Sequence, residues 1–299
     1  MNRHWEGTLM LKAFINKYKL SPSYQDVANK WFIPLSNNIE QHLNNDKSPL
    51  MIGLNGCQGI GKSTLVAFIA DYLKSTFNLN VVTFSIDDFY YCQEKRKKLA
   101  DRIHPLLVTR GVPGTHDTSM LKQVLISLKQ QKSTLIPRFN KAIDNPFPAT
   151  SWPKTNENTD IVIVDGWCWG VPPQHSEALS SPINELEKFK DPQQVWRTYV
   201  NERLASHYQP LYTVMDKWIL LKAPDFKQVA QWRWQQEQKL ALDNPHGGNY
   251  GIMDFEQVKH FVSYFQRLTT HGLKVLPKTS NIIFEFDEQR EIILQTGEL

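Results

Sequence analysis

A glycine-rich segment near residue 60 has the spacing of a phosphate-binding loop. Residues 56–63 read GCQGIGKS and match G-x-x-x-x-G-K-[ST], between an apolar run and a helical pattern. In such a loop the backbone N–H groups turn toward a phosphate, the lysine ammonium reaches the outer phosphates, and the serine hydroxyl is a ligand of Mg²⁺. The segment therefore predicts ATP and Mg²⁺ binding, with Lys62 catalytic. The residues assigned to the phosphates are Gly56, Cys57, Gln58, Gly59, Ile60, Gly61, Lys62, Ser63 and Thr64.

An acidic residue ends the apolar run of residues 161–164, which reads IVIV. A phosphate-binding loop of this kind needs a second acid to hold Mg²⁺ or its water. Asp165 is therefore predicted to be a metal ligand together with Ser63. The alternative is an aspartate that caps a turn.

Two adjacent carboxylates, Asp87 and Asp88, follow residues 81–85, the first apolar run after the phosphate-binding loop. Transfer of a phosphoryl group to an alcohol benefits from a carboxylate that orients the hydroxyl and takes its proton. Neighbouring side chains on an extended segment point to opposite sides, so only one of the two can face the γ-phosphate. We predict that Asp87 is the base and binds substrate with Tyr90, while Asp88 is structural and the second candidate.

Basic side chains in two later segments predict a site for an acidic acceptor. A guanidinium can bind a carboxylate or phosphate through two parallel hydrogen bonds, which makes Arg110 and Arg138 candidate substrate ligands, with Lys141 close behind. The alternatives are that the arginines fix their loops to surface carboxylates and that Lys141 is solvated. His116 is a further substrate candidate, but His116 and Asp117 could instead cap the helix that follows, with Asp117 as N-cap.

The elements that must position these residues alternate between strand and helix. This order predicts an α/β fold, a doubly wound and mainly parallel sheet of the P-loop NTPase type with helices on both faces. The predicted strands are 49–54, 81–85, 134–136, 161–164, 218–221, 282–286 and 291–294. The predicted helices cover 65–73, 117–130, 182–206, 225–242 and 254–268.

The chain is divided in this interpretation into a helical N-terminal extension, residues 1–48, and a kinase domain, residues 49–299. The extension shows helical spacing over 8–20 and again after Pro22, where Pro34 should kink or divide the helix. Two polar stretches, 140–160 and 170–182, are predicted loops beside the strand ends. The charged run 94–98 is interpreted as a solvated helix face.

The overall composition is that of a globular protein. The 299 residues are 41% hydrophobic and 21% charged, and the net charge of +4 favours a local anion site over a nucleic-acid platform. The start of the sequence lacks a secretory pattern, no apolar run reaches membrane-spanning length, and the three cysteines form no CxxC pair. We therefore expect a cytoplasmic monomer or homodimer whose partner is a small molecule, with neither nucleic acid nor membrane bound.

Longer motifs make the sequence similar to a known family. The loop followed by the segment SIDDFY resembles the superfamily of uridine kinase, phosphoribulokinase and pantothenate kinase. Within it, the segments RGVPGTHD (110–117) and PRFNKA (137–142) resemble the D-glycerate 3-kinase family. So does DGW at 165–167, where that family usually has Glu-Gly-Trp. The resemblance covers residue 49 to near the C-terminus.

This resemblance implies an ATP-dependent kinase that phosphorylates a hydroxyl of a small acid, D-glycerate first among the acceptors. Pantothenate-like and nucleoside-like acceptors stay open, as does a nucleotide-binding regulator without transferase activity. It also implies a lid helix whose Arg233 stabilises the transferring phosphoryl group; the alternative is a surface arginine stacked on tryptophan. A GTPase is disfavoured because residues 140–144, NKAID, are one residue too long for the guanine motif.

Overall fold

The sheet that organises the molecule has six strands. The computed structural model describes residues 2–43, 48–243 and 253–299. Strands β2, β5, β1, β6 and β7 follow one another in parallel, and β8 adds to β7 in antiparallel orientation. A small antiparallel hairpin is formed by β3 and β4. The strands are β1 Leu50–Gly56, β2 Val81–Ser85, β3 Phe139–Asn140, β4 Asn145–Pro146, β5 Ile161–Gly166, β6 Lys217–Lys222, β7 Ile282–Phe286 and β8 Ile292–Gly297.

The central strands are apolar along their length because both faces of the sheet are covered. Every residue of β1 and of β5 is buried. Successive side chains point to opposite faces, so Ile52 belongs to one hydrophobic cluster and Met51 to the other. The predicted doubly wound, mainly parallel fold is confirmed.

Twelve α-helices lie among the described residues. They are α1 Asn2–Lys17, α2 Tyr24–Val27, α3 Ile33–Gln41, α4 Lys62–Phe77, α5 Gln93–Arg102, α6 Thr118–Lys129, α7 Glu185–Lys190, α8 Val195–Arg203, α9 Gln209–Tyr212, α10 Lys227–Asp243, α11 Phe255–Ser263 and α12 Gln266–Val275.

Three predicted elements differ from the structure. The helix predicted over 182–206 is two helices, because the chain turns at Gln194 with a φ of 63° and Asp191 accepts the first free N–H groups of α8. The helix predicted over 254–268 ends at Ser263, and α12 follows. The strand predicted at 134–136 is wrong: Leu135 forms only an isolated bridge with Lys154, because this segment pairs locally with residues 153–155.

The N-terminal helices pack against α4. Phe14 of α1 and Phe32 both contact the Phe68 ring, with centroids 5.4 and 5.9 Å apart. A π-helical turn, Ala28–Phe32, joins α2 to α3 just before Pro34, so the helical path is widened there. The Leu299 N–H donates to the Asn38 side chain at 3.3 Å, so the other end of the chain meets the same helices.

The carboxyl ends of β1, β5 and β2 lie side by side at one end of the sheet. Strand β5 lies between β1 and β2, so the phosphate loop after β1, the Asp165 end of β5 and the Asp87 segment after β2 are adjacent. In open α/β sheets, ligands bind outside the carboxyl ends of the strands. Within the described ranges, the helices include none long and apolar enough to cross a membrane.

Candidate active site

The phosphate loop connects β1 directly to α4. Gly59 and Gly61 have φ values of 83° and 108°, which favour glycine because a Cβ is strained in this region. The Lys62 ammonium donates a hydrogen bond to the Cys57 carbonyl at 2.9 Å, so this side chain folds back along the loop. Burial raises the pKa of the Cys57 thiol to about 12, so this buried side chain is a neutral thiol near pH 7.

Helix α10 covers this loop through one tryptophan. A Cβ on Gly59 would lie 2.8 Å from the Trp232 Cβ, so any residue larger than glycine at this position would collide with the helix. Trp232 is buried, and its indole N–H donates to the Glu288 carbonyl at 3.2 Å. The loop is thus held between α4 and α10.

Arg233, the next residue of α10, is held within its own helix and against α11. Its guanidinium pairs with Glu237 and lies 5.8 Å from the Phe261 ring centroid. Burial lowers the pKa of Arg233, and the nearby positive charge of Arg110 lowers it further. The aromatic neighbour described for its guanidinium is Phe261, whereas the sequence suggested a tryptophan.

Asp165 lies beside the phosphate loop at the end of β5. It pairs in register with Leu54 of β1 and with Ser85 of β2, and only 6% of its surface is exposed. Burial raises the pKa of Asp165 to about 7, Lys62 lowers it and Asp87 raises it, so the carboxyl group lies between the phosphate loop and the Asp87 segment.

The side-chain oxygens of Ser63 and Asp165 are of the kind that bind Mg²⁺. The Ser63 hydroxyl is exposed in the first turn of α4, and the Asp165 carboxylate ends the adjacent strand. Mg²⁺ in nucleotide sites typically takes one or two protein oxygens and completes its shell with waters and phosphates. A bound cation would also relieve the cost of ionising this buried carboxyl group.

The two neighbouring carboxylates after β2 have different partners. Asp88 accepts hydrogen bonds from the Ser85 N–H at 3.2 Å and from Arg138 at 3.1 Å, and it closes a capping box with Ser85. Asp87 accepts the Tyr90 hydroxyl at 2.7 Å through Oδ1 and the Lys141 ammonium at 2.7 Å through Oδ2. Asp88 thus holds the backbone, while Asp87 faces the hairpin of β3 and β4.

Lys141 is carried at the tip of that hairpin. The Asn140 side chain accepts the N–H groups of Ala142 and Ile143, which fixes the turn. Burial raises the pKa of Asp87, but the Lys141 charge and hydrogen bond outweigh it, so the net pKa lies below the ordinary value. The Asp87 charge in turn raises the pKa of Lys141.

Asp144, at the end of the same turn, links two arginines. Its carboxylate pairs with Arg110 and, at 2.6 Å, with Arg96. Arg96 is only 2% exposed and also donates to the carbonyls of Tyr91 and Val108. The expectation that the run 94–98 is a solvated face is therefore wrong for Arg96, which enters the interior because carbonyl and carboxylate oxygens satisfy its guanidinium.

The two predicted acceptor arginines each have a carboxylate partner. Arg138 pairs with Asp88 and Arg110 with Asp144, as the alternative interpretation anticipated, although these carboxylates are part-buried. Arg110 is 27% exposed and its guanidinium lies 5.7 Å from the Phe139 ring centroid. Their binding of a substrate stays a prediction.

His116 is buried beneath the site. Its ring stacks on Tyr90, with centroids 4.4 Å apart, and its Nδ1 lies 2.6 Å from the Tyr208 hydroxyl. Burial lowers the pKa of His116 to about 4, so the ring is neutral near pH 7. Asp117 caps α6 by accepting the Met120 N–H at 2.9 Å, which confirms the capping alternative for Asp117.

Three residues of this region escaped the sequence interpretation. Arg96 was hidden in a charged run, and Asp144 was considered only against the guanine motif. Tyr208, which also accepts the Gly114 N–H at 3.2 Å, carried no motif. Only the pairing of distant loops reveals them.

Comparisons with known proteins find relatives among P-loop proteins. The family model described as the KAP family P-loop domain matches residues 32–272. The chloroplastic D-glycerate 3-kinase of Arabidopsis thaliana is 29% identical over 267 residues, covering 83% of this chain. The uncharacterized kinase mug58 of Schizosaccharomyces pombe is 32% identical over 242 residues, covering 76% of this chain and 82% of that protein. The solved structure of D-glycerate 3-kinase from Cryptococcus neoformans var. grubii has a TM-score of 0.72 at 24% identity, covering 92% of this chain and 99% of that one.

The fold and the site together define a P-loop kinase. The chain belongs to the KAP family P-loop domain by its family model, and it is similar to relatives named as kinases, among them a D-glycerate 3-kinase. It spans about half, 55%, of the length of the Arabidopsis relative. The likeness to the Cryptococcus structure supports the fold.

Proposed function

We propose that this protein transfers the γ-phosphate of ATP to a hydroxyl group of a small hydroxy acid, and that the acid is D-glycerate. The observation that carries the proposal is the Asp87–Lys141 pair, which lies at the same end of the sheet as the phosphate loop. The Asp87 carboxylate can accept the proton of an acceptor hydroxyl, and the Lys141 ammonium can bind the carboxylate of an acid. Two relatives named as D-glycerate 3-kinases support the choice of acceptor.

In the proposed reaction the acceptor oxygen forms a bond to the γ-phosphorus while the bond from that phosphorus to the bridging oxygen of ADP breaks. The hydroxyl proton passes to Asp87 and then to solvent. The products are ADP and the phosphorylated acid. Lys62 and Arg233 would stabilise the charge on the transferring group, as fixed cations do in phosphoryl transfer.

The remaining residues have binding roles in this proposal. The backbone of residues 56–61 and Thr64 of α4 would hold the phosphates, with Ser63 and Asp165 as the protein ligands of Mg²⁺. When bound, Mg²⁺ neutralises phosphate charge. Arg110 and Lys141 would bind the acceptor carboxylate. Residues placed around them complete the acceptor site: Tyr90, His116 and Arg138.

The test is an acceptor screen with the purified full chain. ADP release is measured with ATP, Mg²⁺ and D-glycerate, pantothenate or uridine, and the product is identified by ³¹P NMR. We expect turnover with D-glycerate above the others. Preference for pantothenate or uridine would replace the acceptor, and nucleotide binding without turnover on any of them would favour a regulator.

Three further expectations belong to the proposal. Residues 1–48 act as an extension of the kinase domain, which the packing of Phe14 and Phe32 on Phe68 supports. The protein works as a monomer or homodimer on a small molecule, without nucleic acid. It acts in the cytoplasm. Light scattering tests the oligomeric state, and cell fractionation tests the localisation.

A further inference from the structure

We infer that Lys141 makes phosphoryl transfer depend on the negative charge of the acceptor, because its ammonium occupies Asp87 until an anionic group draws it away. This inference rests on the proposed function and adds to it a source of specificity. Lys141 would then select the acceptor during turnover as well as during binding.

Both oxygens of Asp87 are already engaged. Oδ1 accepts the Tyr90 hydroxyl and Oδ2 accepts the Lys141 ammonium, each at 2.7 Å. Each oxygen keeps a second lone pair that can accept an acceptor hydroxyl. A proton taken up by Asp87 removes the negative charge that both partners bind, so one of these two bonds has to weaken for proton transfer. Tyr90 is 5% exposed, stacks on the His116 ring and packs edge-to-face with Phe139, so it is the fixed partner.

Lys141 is the partner that can move. Its side chain is 60% exposed, while that of Asp87 is 24% exposed. It stands on a flexible four-carbon stem at the tip of a two-strand hairpin. Rotation of this stem releases Oδ2 without disturbing the backbone of either segment.

The charge of the acceptor decides what that movement costs. Arg110 lies close enough to lower the pKa of Lys141, so a carboxylate between the two cations would be attracted by both. Such a carboxylate replaces the bond that Lys141 gives up. A neutral acceptor offers no replacement, and a lost charge-assisted hydrogen bond is worth roughly 10- to 100-fold.

The experiment compares D-glycerate with glycerol, which has hydroxyl groups but no carboxylate. Lys141→Met removes the ammonium and keeps an unbranched side chain. We expect kcat/KM for D-glycerate to fall at least tenfold. We expect kcat for glycerol to rise roughly tenfold, because Asp87 no longer has to give up an ion pair to take the proton. Lys141→Arg keeps the charge and should retain most of the wild-type discrimination.

Lys98→Met is the matched control. Lys98 is 70% exposed and pairs with Glu94 at 2.6 Å on α5, so the substitution removes a comparable surface ion pair away from Asp87. It should leave both acceptors unchanged. Circular dichroism and thermal melts of all variants check that each is folded.

The outcomes separate this inference from the proposed function. If Lys141→Met lowers or leaves unchanged the glycerol rate, Lys141 only binds the acid and the inference is wrong. If the wild type prefers pantothenate, D-glycerate is wrong as acceptor, and the same variants are compared on pantothenate and its neutral alcohol, pantothenol. If the wild type prefers uridine, both the proposed acid acceptor and the role inferred for Lys141 are wrong.

Discussion

Asp165 and Asp87 end neighbouring strands of one sheet, yet their surroundings drive their charges in opposite directions. Burial is the largest influence on both and raises both pKa values. For Asp165 burial prevails, and the pKa rises to about 7. For Asp87 the hydrogen-bonded Lys141 prevails, and the pKa falls below its ordinary value. Among the described residues, the Asp165 carboxyl group thus lacks a neighbouring cation strong enough to keep it ionised, while Asp87 is already paired with one.

The largest effect is expected from removing the Asp87 charge. Asp87→Asn keeps the size of the side chain but accepts no proton, so kcat should fall roughly 10²- to 10⁴-fold. ATP affinity should barely change because the phosphate loop is intact. Steady-state kinetics and nucleotide titration measure the two quantities. A near-normal kcat would move the role of base to Asp88.

Lys62→Ala tests the nucleotide side. Loss of a fixed cation at the phosphates should lower kcat by about 10²- to 10³-fold. The Lys62 ammonium contacts only a loop carbonyl among its described hydrogen bonds, so folding should be retained. ADP release and circular dichroism are the measurements. An unfolded variant would contradict a purely functional role.

Arg110→Ala should act on the acceptor side alone. If Arg110 binds the acid equally in the ground and transition states, the acceptor KM should rise roughly 10- to 100-fold with kcat little changed. Weakened ATP binding with an unchanged acceptor KM would instead place this loop on the nucleotide side.

The smallest effects, on stability, should have opposite signs for the two carboxylates. The native state holds a proton on Asp165 between about pH 4 and pH 7, so wild-type stability falls as pH rises through this window. Asp165→Asn removes that loss and should be more stable than wild type at pH 8, by about 1–4 kcal/mol, and equal near pH 4.

Asp87 contributes stability that is present above its unfolded pKa and is lost as pH falls through its lowered pKa. Asp87→Asn should therefore be less stable at pH 7, by about 1 kcal/mol for a partly exposed pair. Urea unfolding from pH 4 to 8, with EDTA and without nucleotide, measures both variants. Shifts of the same sign at pH 8 would contradict the contrast between the two sites.

Much of the fold was predictable because its signals are local. Residues 161–164 form a buried strand because four β-branched side chains suit a sheet covered on both faces. The glycines at 59 and 61 specify the loop because few other residues adopt their backbone angles. The run at 134–136 failed because a short apolar segment does not say whether it joins the sheet or pairs with a nearby loop.

The sequence by itself determined the phosphate loop, the parallel sheet, and the presence of acids at the ends of two strands. Only the tertiary structure decided that Lys141 contacts Asp87, 54 positions away, and that Trp232 rests on Gly59. It also buried Arg96 with Asp144. The physical reason is that a motif fixes the backbone of adjacent residues, whereas the partner of a charged side chain is chosen by loops that meet only after the strands have aligned.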